Sequence, residues 1–356
     1  MKIEDSSYSK KVILFRCITD SYYGLGHFQR CIVLANELKK MGYLTKFIIT
    51  HNEFIEKELR SSKIPYIKIP NYNSITKESK NIFSIMNSNR YKIIVVDMRE
   101  FSEKLCKNLF YKKIKTILID DAWTKNAYAD LIFNGTLIKQ YQKYKKKNKN
   151  CKIFVGPQYN LIKEEFKIFR KKTKKITTKS SYVVVITTGG TDPNEVSLIV
   201  IKSILMVPNL KIIVIVGPFS KNLKKIQEIA KGQRNIKILE SPKNIWKIFN
   251  LADLVISSAG NTLYELSIQH VPTICIAAEE HQIPYGRLFS GYGFSIFLGL
   301  WKNINEKQIQ TTLTKLLTDV NLRKKISKPN KKILDENGTK KISLEISKFI
   351  KILENY

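Results

Sequence analysis

The sequence predicts an α/β protein with two doubly wound, Rossmann-like parallel-sheet domains in tandem. Short apolar, β-branched runs alternate with amphipathic stretches of helical periodicity, which is typical of βαβ units. The alternation stops at a stretch rich in lysine and threonine, 170–181, and then starts again. A chain of 356 residues holds two domains at roughly 150 residues each, and 43% apolar residues are enough for packed cores.

The first half of the chain contains five apolar runs separated by four helical patterns. Because the runs are apolar at nearly every position, they predict strands that are covered on both faces, as in a parallel sheet. The strands are predicted at 12–15, 47–50, 66–69, 93–97 and 116–120, and the helices at 27–41, 53–61, 74–86 and 103–111.

The second half repeats this pattern with six apolar runs. Strands are predicted at 182–187, 211–216, 236–239, 254–257, 273–276 and 294–297. Helices are expected between them, and the chain from 305 onward is expected to be helical, with a final amphipathic segment at 342–353. We therefore divide the chain into an N-terminal domain at 1–170, a linker at 171–181 and a C-terminal domain at 182–356.

The net charge of +32 arises from 62 basic and 30 acidic residues, but only nine of the basic residues are arginine. Nucleic-acid-binding proteins favour arginine, whose guanidinium makes paired contacts with bases and phosphates. We interpret the lysine excess as a compositional bias and the lysine runs at 143–152 and 171–179 as solvated surface. We expect no nucleic-acid partner, no obligate protein partner and at most a peripheral contact with a membrane surface.

The five cysteines are scattered and form no Cys-x-x-Cys pair, so the sequence predicts free thiols and neither a zinc site nor a redox motif. The N-terminal apolar run is too short for a signal peptide, and the longest apolar stretches have the length of strands. We therefore expect a cytoplasmic protein with no bound cofactor and no metal ion.

A glycine-containing turn follows the first predicted strand and leads into the first helix. Gly24 and Gly26 allow the backbone to turn tightly and to approach a ligand closely. His27 then lies at the helix N-terminus, where the helix dipole disfavours an imidazolium, so it is the candidate general base. The alternative is a turn whose histidine only caps or packs. The full GxGxxG fingerprint is absent, which argues against NAD.

The first strand of the second domain is followed by a similar loop. Gly189, Gly190 and Thr191 come directly after it, and Pro193 stands near the start of the next helix. Such a loop brings backbone close to a phosphate or a sugar, and an ordinary tight turn is the alternative.

The most informative segment follows the predicted strand 254–257. Its small residues leave backbone N–H groups free at a helix N-terminus, which suits a diphosphate without a metal ion. Glu265 falls one turn into the helix, where its carboxylate can accept hydrogen bonds from the hydroxyls of a ribose; an ordinary capped helix is the alternative. Gln282 is the polar group expected near the same ligand. The residues predicted to bind the nucleotide are Ser258, Ala259, Gly260, Asn261, Thr262, Glu265 and Gln282.

Carboxylates end two strands of the first domain. Asp97 ends the fourth strand, and Asp120 and Asp121 end the fifth. Because the carboxyl ends of parallel strands share one edge of a sheet, we expect these groups and His27 to face one site. Asp120 and Asp121 have no third ligand at a suitable spacing, so capping of loops is favoured over metal binding.

Together these segments resemble the glycosyltransferase-B (GT-B) superfamily, and within it the family 28-like UDP-2,4-diacetamido-2,4,6-trideoxy-β-L-altropyranose hydrolases of pseudaminic acid biosynthesis and related spore-coat polysaccharide proteins. The resemblance covers about residues 11–300 and implies the GT-B architecture. The residues that carry it, in the order typical of the family, are Arg16, 24–31, 119–121, 156–166, 189–192 and 257–265.

The resemblance implies metal-independent hydrolysis of a UDP-activated deoxyamino sugar to UDP and the free sugar. His27 would activate the attacking water, and the segment 257–265 with Gln282 would hold UDP. The residues predicted to bind the substrate are Gly24, Gly26, Arg16, Asp20, Asp97, Gly189, Gly190 and Thr191.

Three positions depart from the pattern of the family. Ile18 stands where an aspartate is common, with Asp20 nearby; Arg99 stands where some members have a tyrosine, and Tyr264 where some have an asparagine. The departures surround the sugar, so transfer to a sugar hydroxyl, as in a glycosyltransferase that makes a surface polysaccharide, stays open beside hydrolysis. A non-catalytic protein that binds a nucleotide sugar or nucleic acid is a third hypothesis, against which the Gly-x-Gly-His motif argues.

Overall fold

The computed structural model describes residues 12–19, 21–170, 177–328 and 333–354, and two parallel sheets flanked by helices account for most of them. This architecture confirms the predicted fold class. The chain divides into two compact units, residues 1–161 together with 337–356, and residues 162–336.

Among its described residues, the first unit has a parallel sheet of seven strands. The strands of the unit are β1 (Val12–Cys17), β2 (Leu44–Ile49), β3 (Tyr66–Lys68), β4 (Ile93–Asp97), β5 (Lys115–Asp120), β6 (Asn126–Ala127), β7 (Leu131–Asn134), β8 (Lys145–Lys146) and β9 (Lys152–Val155). The order in the main sheet is β3-β2-β1-β4-β5-β7-β9, while β6 and β8 pair separately. The helices between the strands are α1 (Gly26–Lys40), α2 (Glu53–Ser61), α3 (Ile75–Ser88) and α4 (Ser102–Tyr111).

Both faces of this sheet are covered, which explains its uniformly apolar strands. Phe15 of β1 belongs to the apolar cluster on one face, where its ring stacks on that of Phe47 with centroids 5.0 Å apart. Its neighbour Leu14 belongs to the cluster on the other face. Successive residues of a strand point to opposite faces, so a strand buried on both sides is apolar at every position.

The second unit repeats the plan with a six-stranded parallel sheet among its described residues. Its strands are β10 (Tyr182–Thr187), β11 (Leu210–Val216), β12 (Ile236–Glu240), β13 (Leu254–Ser258), β14 (Thr273–Ala277) and β15 (Ile296–Leu300). Their order is β12-β11-β10-β13-β14-β15. The helices are α5 (Glu164–Ile168), α6 (Val196–Ile204), α7 (Leu223–Ala230), α8 (Ile245–Leu251), α9 (Thr262–Gln269), α10 (Ile283–Gly291), α11 (Glu306–Thr318) and α12 (Val320–Ile326).

The eleven predicted strands are all present within a few residues of their predicted bounds. The sequence analysis missed β7 and β9, which extend the first sheet, and the short pair β6 and β8. The apolar residues of β9 directly follow the lysine run at 143–152, whose composition is typical of solvated surface, so β9 was not predicted. The apolar residues of β7, from Leu131 to Phe133, were a signal in the sequence that could have predicted this strand.

The C-terminal helix α13 (Gly338–Glu354) belongs to the first unit, whereas the sequence analysis assigned the chain from 182 onward to the second domain. The helix buries Ile342, Ile346 and Ile350 in the core of the first unit. These residues are spaced by four and form one apolar stripe, which needs a complementary surface but does not specify which one. Of the predicted linker, residues 171–176 lie outside the described part of the chain.

Candidate active site

The candidate site of the first unit lies at the carboxyl edge of its sheet, where the neighbouring strands β1, β4 and β5 end. The loop after β1 turns at Gly24, whose φ of +74° lies in the left-handed region that glycine adopts without strain. Helix α1 starts at Gly26, so His27 lies in its first turn. Leu25, the residue before the helix, makes no side-chain hydrogen bond that caps its N-terminus.

His27 is held by a buried carboxylate at the end of β4. Its Nδ1 lies 2.7 Å from Oδ1 of Asp97, and its side chain is 12% exposed. A carboxylate only accepts hydrogen bonds, so this short contact assigns the proton to Nδ1 and leaves the lone pair on Nε2. Arg30 Nη2 also lies 3.1 Å from Nδ1, but it donates to Asp97 Oδ1 at the shorter distance of 2.6 Å. Nε2 is therefore the nitrogen that can take a proton from a ligand.

Asp97 is the centre of this charge network. Arg30 donates to both of its oxygens, from Nε at 2.5 Å and from Nη2 at 2.6 Å, and donates from Nη1 to Asp121 at 3.0 Å. The Cys31 thiol lies 3.7 Å from Asp97 Oδ2. Burial raises the pKa of Asp97, but Arg30 and His27 outweigh burial and hold the pKa well below its ordinary value. Asp97 is thus a stable anion that orients His27.

Asp120 has a different environment, although it ends the adjacent strand. It is 3% exposed and accepts hydrogen bonds from Tyr144 Oη at 2.9 Å and from the N–H groups of Trp123 and Thr124 at 3.3 Å each. Burial and the charge of Asp121 raise the pKa of Asp120 to about 6. These contacts cap the loop after β5, the role that the sequence analysis favoured over metal binding.

Arg16, which the sequence predicts to bind the substrate, is paired within the protein. Its Nε donates to Glu78 at 2.6 Å and its Nη1 donates to the carbonyl of Cys17 at 2.8 Å, and the Arg16 and Glu78 side chains are each 5% exposed. Separating a buried ion pair leaves an uncompensated charge, so Arg16 is committed to Glu78. We therefore assign it a structural role. Asp20, the other residue expected beside Arg16, lies outside the described residues.

In the second unit, the loop after β10 is fixed by the loop after β11. Gly189 has a φ of +89°, and the carbonyl of Gly190 accepts a hydrogen bond from the N–H of Phe219 at 3.0 Å. A Cβ at Gly217 would collide with the carbonyl oxygens of both Gly189 and Gly190. The close approach of the two loops therefore requires glycine at Gly217 and holds the predicted Gly189–Gly190 loop in one conformation.

The polar residues that follow this loop have different states. The carboxylate of Asp192 is buried and accepts hydrogen bonds from the N–H groups of Val196 and Ser197 at 3.0 and 3.2 Å and from Asn222 Nδ2 at 3.1 Å. Asp192 therefore holds the start of helix α6. Thr191 is half-buried and makes no hydrogen bond within the described residues, so its hydroxyl remains available to a ligand.

The segment after β13 has the features of an anion site. Helix α9 begins at Thr262 without a side-chain cap, and the N–H groups of Asn261 and Thr262 have no hydrogen-bond partner among the described residues. A Cβ at Gly260 would meet no atom within 4 Å, so the space in front of it is open. A Cβ at Gly189 would lie 3.8 Å from Ser258 Oγ, so the two predicted loops adjoin.

Glu265 lies one turn into α9 and has no hydrogen-bond or ion-pair partner in the described part of the chain. Burial raises its pKa to about 7, and the positive charge of Lys163 acts in the opposite direction. The Oε1 of Gln282 accepts from the N–H of Ala278 at 2.9 Å, which leaves its amide N–H groups free, and Asn194 donates to the carbonyl of Ala278 at 2.8 Å. The predicted nucleotide-binding residues thus carry unused donors and one unused carboxylate.

Neither the close approach at Gly217 nor the effect of Lys163 on Glu265 was predicted from the sequence. Gly217 had a readable signal, because it directly follows a buried strand. Lys163 had none, because its effect on Glu265 depends on packing between distant parts of the chain. Within the described ranges, no group of three or more His, Cys, Asp or Glu side chains is arranged to hold a metal ion. None of the helices there combines the length and the hydropathy that crossing a membrane requires.

Two parallel-sheet, Rossmann-like domains are also the architecture of solved proteins of the GT-B type, and comparisons with known proteins give the following similarities. Residues 167–343 match the model of the glycosyltransferase family 28 C-terminal domain. MurG of Acinetobacter baumannii has a similar fold, with a TM-score of 0.65 and 15% identity over 95% of this chain and 99% of that chain.

Two relatives extend the similarity to the first unit. The UDP-2,4-diacetamido-2,4,6-trideoxy-beta-L-altropyranose hydrolase of Campylobacter jejuni is 27% identical over 258 residues, 71% of this chain and 86% of that protein. The uncharacterized protein MJ1062 of Methanocaldococcus jannaschii is 26% identical over 269 residues, 73% of this chain. The chain matches 54% of the length of that second relative.

Proposed function

We propose that the protein cleaves a UDP-activated deoxyamino sugar at its anomeric carbon with water as the acceptor, releasing UDP and the free sugar. The proposed substrate is a UDP-2,4-diacetamido-2,4,6-trideoxy-hexose, as in the name of the Campylobacter jejuni relative. The observation that carries the proposal is the contact of 2.7 Å between His27 Nδ1 and Asp97, because it leaves Nε2 as a proton acceptor.

In the proposed reaction, His27 Nε2 takes a proton from water as the water oxygen bonds to the anomeric carbon. The bond between that carbon and the diphosphate oxygen breaks, and UDP leaves with the electron pair. Because water attacks from the side opposite UDP, the configuration at the anomeric carbon is inverted. The leaving group is good, so the reaction mainly needs a positioned and deprotonated water. Asp97 stabilises the imidazolium that forms, as the carboxylate of a catalytic triad does. The proton then passes to solvent.

The second unit is proposed to bind UDP without a divalent cation. The free N–H groups of Asn261 and Thr262 supply donors for the diphosphate at the positive end of a helix. The unpartnered carboxylate of Glu265 accepts hydrogen bonds from the two ribose hydroxyls. Glu265 is half-buried, so its carboxylate is open to a ligand and can accept charge-assisted hydrogen bonds from these donors.

A glycosyltransferase that uses the same donor is the second candidate function. The match of residues 167–343 to a glycosyltransferase domain model favours it, because that region includes the whole proposed UDP site. The two functions share the cleavage of the donor and the role of His27. They differ in whether water or a sugar hydroxyl gives up its proton to Nε2.

The test is the turnover of His27→Asn, followed by NMR of the anomeric proton during incubation with candidate UDP-sugars. We expect kcat to fall by roughly 10²–10⁴, the usual contribution of general acid–base catalysis, with the affinity for UDP almost unchanged. His51→Asn is the matched control, because His51 also pairs with a carboxylate, at 2.8 Å from Glu56, but its side chain is 72% exposed.

Several results would contradict the proposal. Near-wild-type turnover in His27→Asn would place the base elsewhere. A parallel loss of UDP affinity would make His27 a binding or folding residue. An absolute requirement for Mg²⁺ in calorimetric titrations with UDP would remove the proposed role of the α9 N-terminus. A new glycosidic bond in place of free sugar would establish the second candidate.

A further inference from the structure

A second polar cluster lies at the sheet edge that holds His27, but it takes no part in the charge network. We call it the Arg99 cluster; its members are Arg99, Tyr23, Trp123 and Glu100. Arg99 follows the end of β4 by two residues, Tyr23 lies in the loop after β1, and Trp123 lies in the loop after β5. These strands are neighbours in the sheet, so the cluster stands beside the candidate general base.

The backbone of Arg99 is held in an unusual conformation. Its φ of +49° lies in the left-handed region, which few residues other than glycine adopt. Two hydrogen bonds fix the turn around it: Met98 N–H donates to Ser102 Oγ at 2.8 Å, and Phe101 N–H donates to the carbonyl of Met98 at 3.0 Å. Strained residues of this kind concentrate at binding and catalytic sites, where the fold holds a side chain in place.

The guanidinium of Arg99 is ordered by aromatic rings rather than by hydrogen bonds. Its central carbon lies 4.8 Å from the ring centroid of Tyr23 and 4.4 Å from that of Trp123. The side chain is 17% exposed, and none of its N–H groups donates a hydrogen bond to any described residue. Nε is buried without a hydrogen-bond partner, and the partly exposed Nη groups leave donors that a ligand can reach, which indicates that an acceptor comes from a ligand.

The charge of Arg99 is already balanced. Glu100 Oε2 lies 3.3 Å from Arg99 Nε, without the alignment of a hydrogen bond, while Oε1 of Glu100 accepts from Tyr23 Oη at 2.9 Å. A ligand carboxylate or phosphate would be repelled by Glu100 at close range. A neutral carbonyl oxygen needs only the free donors and meets no such repulsion, so it is the acceptor that suits the cluster.

We propose that Arg99 is a specificity-determining residue that donates a hydrogen bond to the acyl oxygen of an N-acylamino sugar. The rings of Tyr23 and Trp123 then contact the acyl methyl group. The inference rests on the proposed function and adds to it the residue that distinguishes an N-acylated sugar from one with a hydroxyl at the same position.

The test compares calorimetric titrations of the wild type and of Arg99→Met with UDP, UDP-N-acetylglucosamine, UDP-glucose and UDP-glucuronate. Methionine keeps an unbranched side chain against the two rings but has no donor. In the wild type, UDP-N-acetylglucosamine should bind about tenfold to a hundredfold more tightly than UDP-glucose, the range for a hydrogen bond to a charged group. In Arg99→Met this ratio should fall to near one, with UDP itself bound as before. Arg99→Lys should restore part of the ratio.

Four outcomes would overturn the inference. They are a ratio near one in the wild type, a ratio that Arg99→Met preserves, an equal loss of affinity for UDP in Arg99→Met, and a preference for UDP-glucuronate that depends on Arg99. The third outcome would assign Arg99 to the diphosphate, and the fourth to a carboxylate.

A second measurement separates this inference from the proposed function. Saturation-transfer NMR with free N-acetylglucosamine reports on the acetyl methyl group without any nucleotide. If the wild type binds no UDP, the proposed function fails, and the NMR experiment still decides the role of Arg99. A methyl signal that is present in the wild type and lost in Arg99→Met supports the inference, and no signal in the wild type overturns it.

Discussion

The carboxyl edges of the two sheets differ in how their carboxylates are paired: Asp97 is buried and paired, whereas Glu265 is half-buried and unpaired among the described residues. In the first unit, Asp97 is fully engaged by His27 and Arg30, and its pKa is held far below the ordinary value. In the second unit, Glu265 has no hydrogen-bond or ion-pair partner among the described residues, and burial raises its pKa to about 7. Both carboxylates lie at the carboxyl edge of a parallel sheet, yet only Asp97 is paired among the described residues.

This difference separates a carboxylate that positions another side chain, Asp97, from a carboxylate that is open to a ligand, Glu265. A buried charge must be compensated by a partner or its pKa shifts toward the neutral form. Asp97 is compensated internally, so it can fix the orientation and tautomer of His27 in the absence of substrate. Glu265 is uncompensated, so a ligand with suitable donors gains the full benefit of pairing with it. The first edge therefore holds its side chains in fixed positions without a ligand, whereas the second edge leaves a carboxylate and backbone donors unpaired among the described residues.

The largest expected effect is a loss of protein stability when the carboxylate of Asp97 is removed. Asp97→Ala should lower the free energy of unfolding by about 3–5 kcal/mol, because it leaves the buried guanidinium of Arg30 with Asp121 alone. Urea denaturation measures this. Glu345→Ala is the control, since Glu345 belongs to an exposed pair with Lys348 and should cost less than about 1 kcal/mol. Equal losses in the two variants would show that the Asp97 network is no more than a surface ion pair.

A smaller effect is expected on UDP binding when the carboxylate of Glu265 is removed. Glu265→Ala should weaken UDP binding by about 1.5–3 kcal/mol, the range for hydrogen bonds to a charged group, and calorimetry would measure it. 2′-Deoxy-UDP should lose much less affinity on the same substitution, because it lacks one of the two proposed donors. Unchanged affinity of Glu265→Ala for UDP would remove Glu265 from the site.

The same carboxylate gives a stability test that needs no ligand. The pKa of Glu265 rises from 4.5 to about 7 on folding, so between these values the native state binds more protons than the unfolded state. The contribution of Glu265 to stability therefore decreases as pH rises through this window. Glu265→Gln should remove this decrease and leave the unliganded variant more stable than the wild type at pH 8. A variant that is less stable at pH 8 would mean that Glu265 has a partner.

The smallest expected effect concerns the backbone of the unpaired edge. Gly217→Ala should destabilise the protein by about 1–3 kcal/mol and weaken UDP binding, because the new methyl group displaces the Gly189–Gly190 loop. Gly260→Ala is the matched control, since a Cβ there meets no atom within 4 Å, and its stability should change by less than about 0.5 kcal/mol. Thermal unfolding distinguishes the two glycines, and the reverse order of stabilities would contradict this account.

The sequence alone determined the architecture of the protein. Uniformly apolar runs are forced by strands that are buried on both faces, so the eleven predicted strands could be found from one chain. The glycines beside His27 and the small residues before Glu265 were also readable, because tight turns and helix N-termini impose strong local requirements on residue type.

Only the tertiary structure decided which of the candidate residues are free and which are committed. Arg16 pairs with Glu78, whose position 62 residues further along the chain gave no local signal of this ion pair. The contacts of Asp97 with His27 and Arg30, and the packing of α13 in the first unit, likewise depend on residues that are distant in the sequence. Local sequence encodes a turn, a cap or an apolar stripe, but the partner of a buried charge or of an apolar face is selected by long-range packing, and this selection is what separates a structural residue from a functional one.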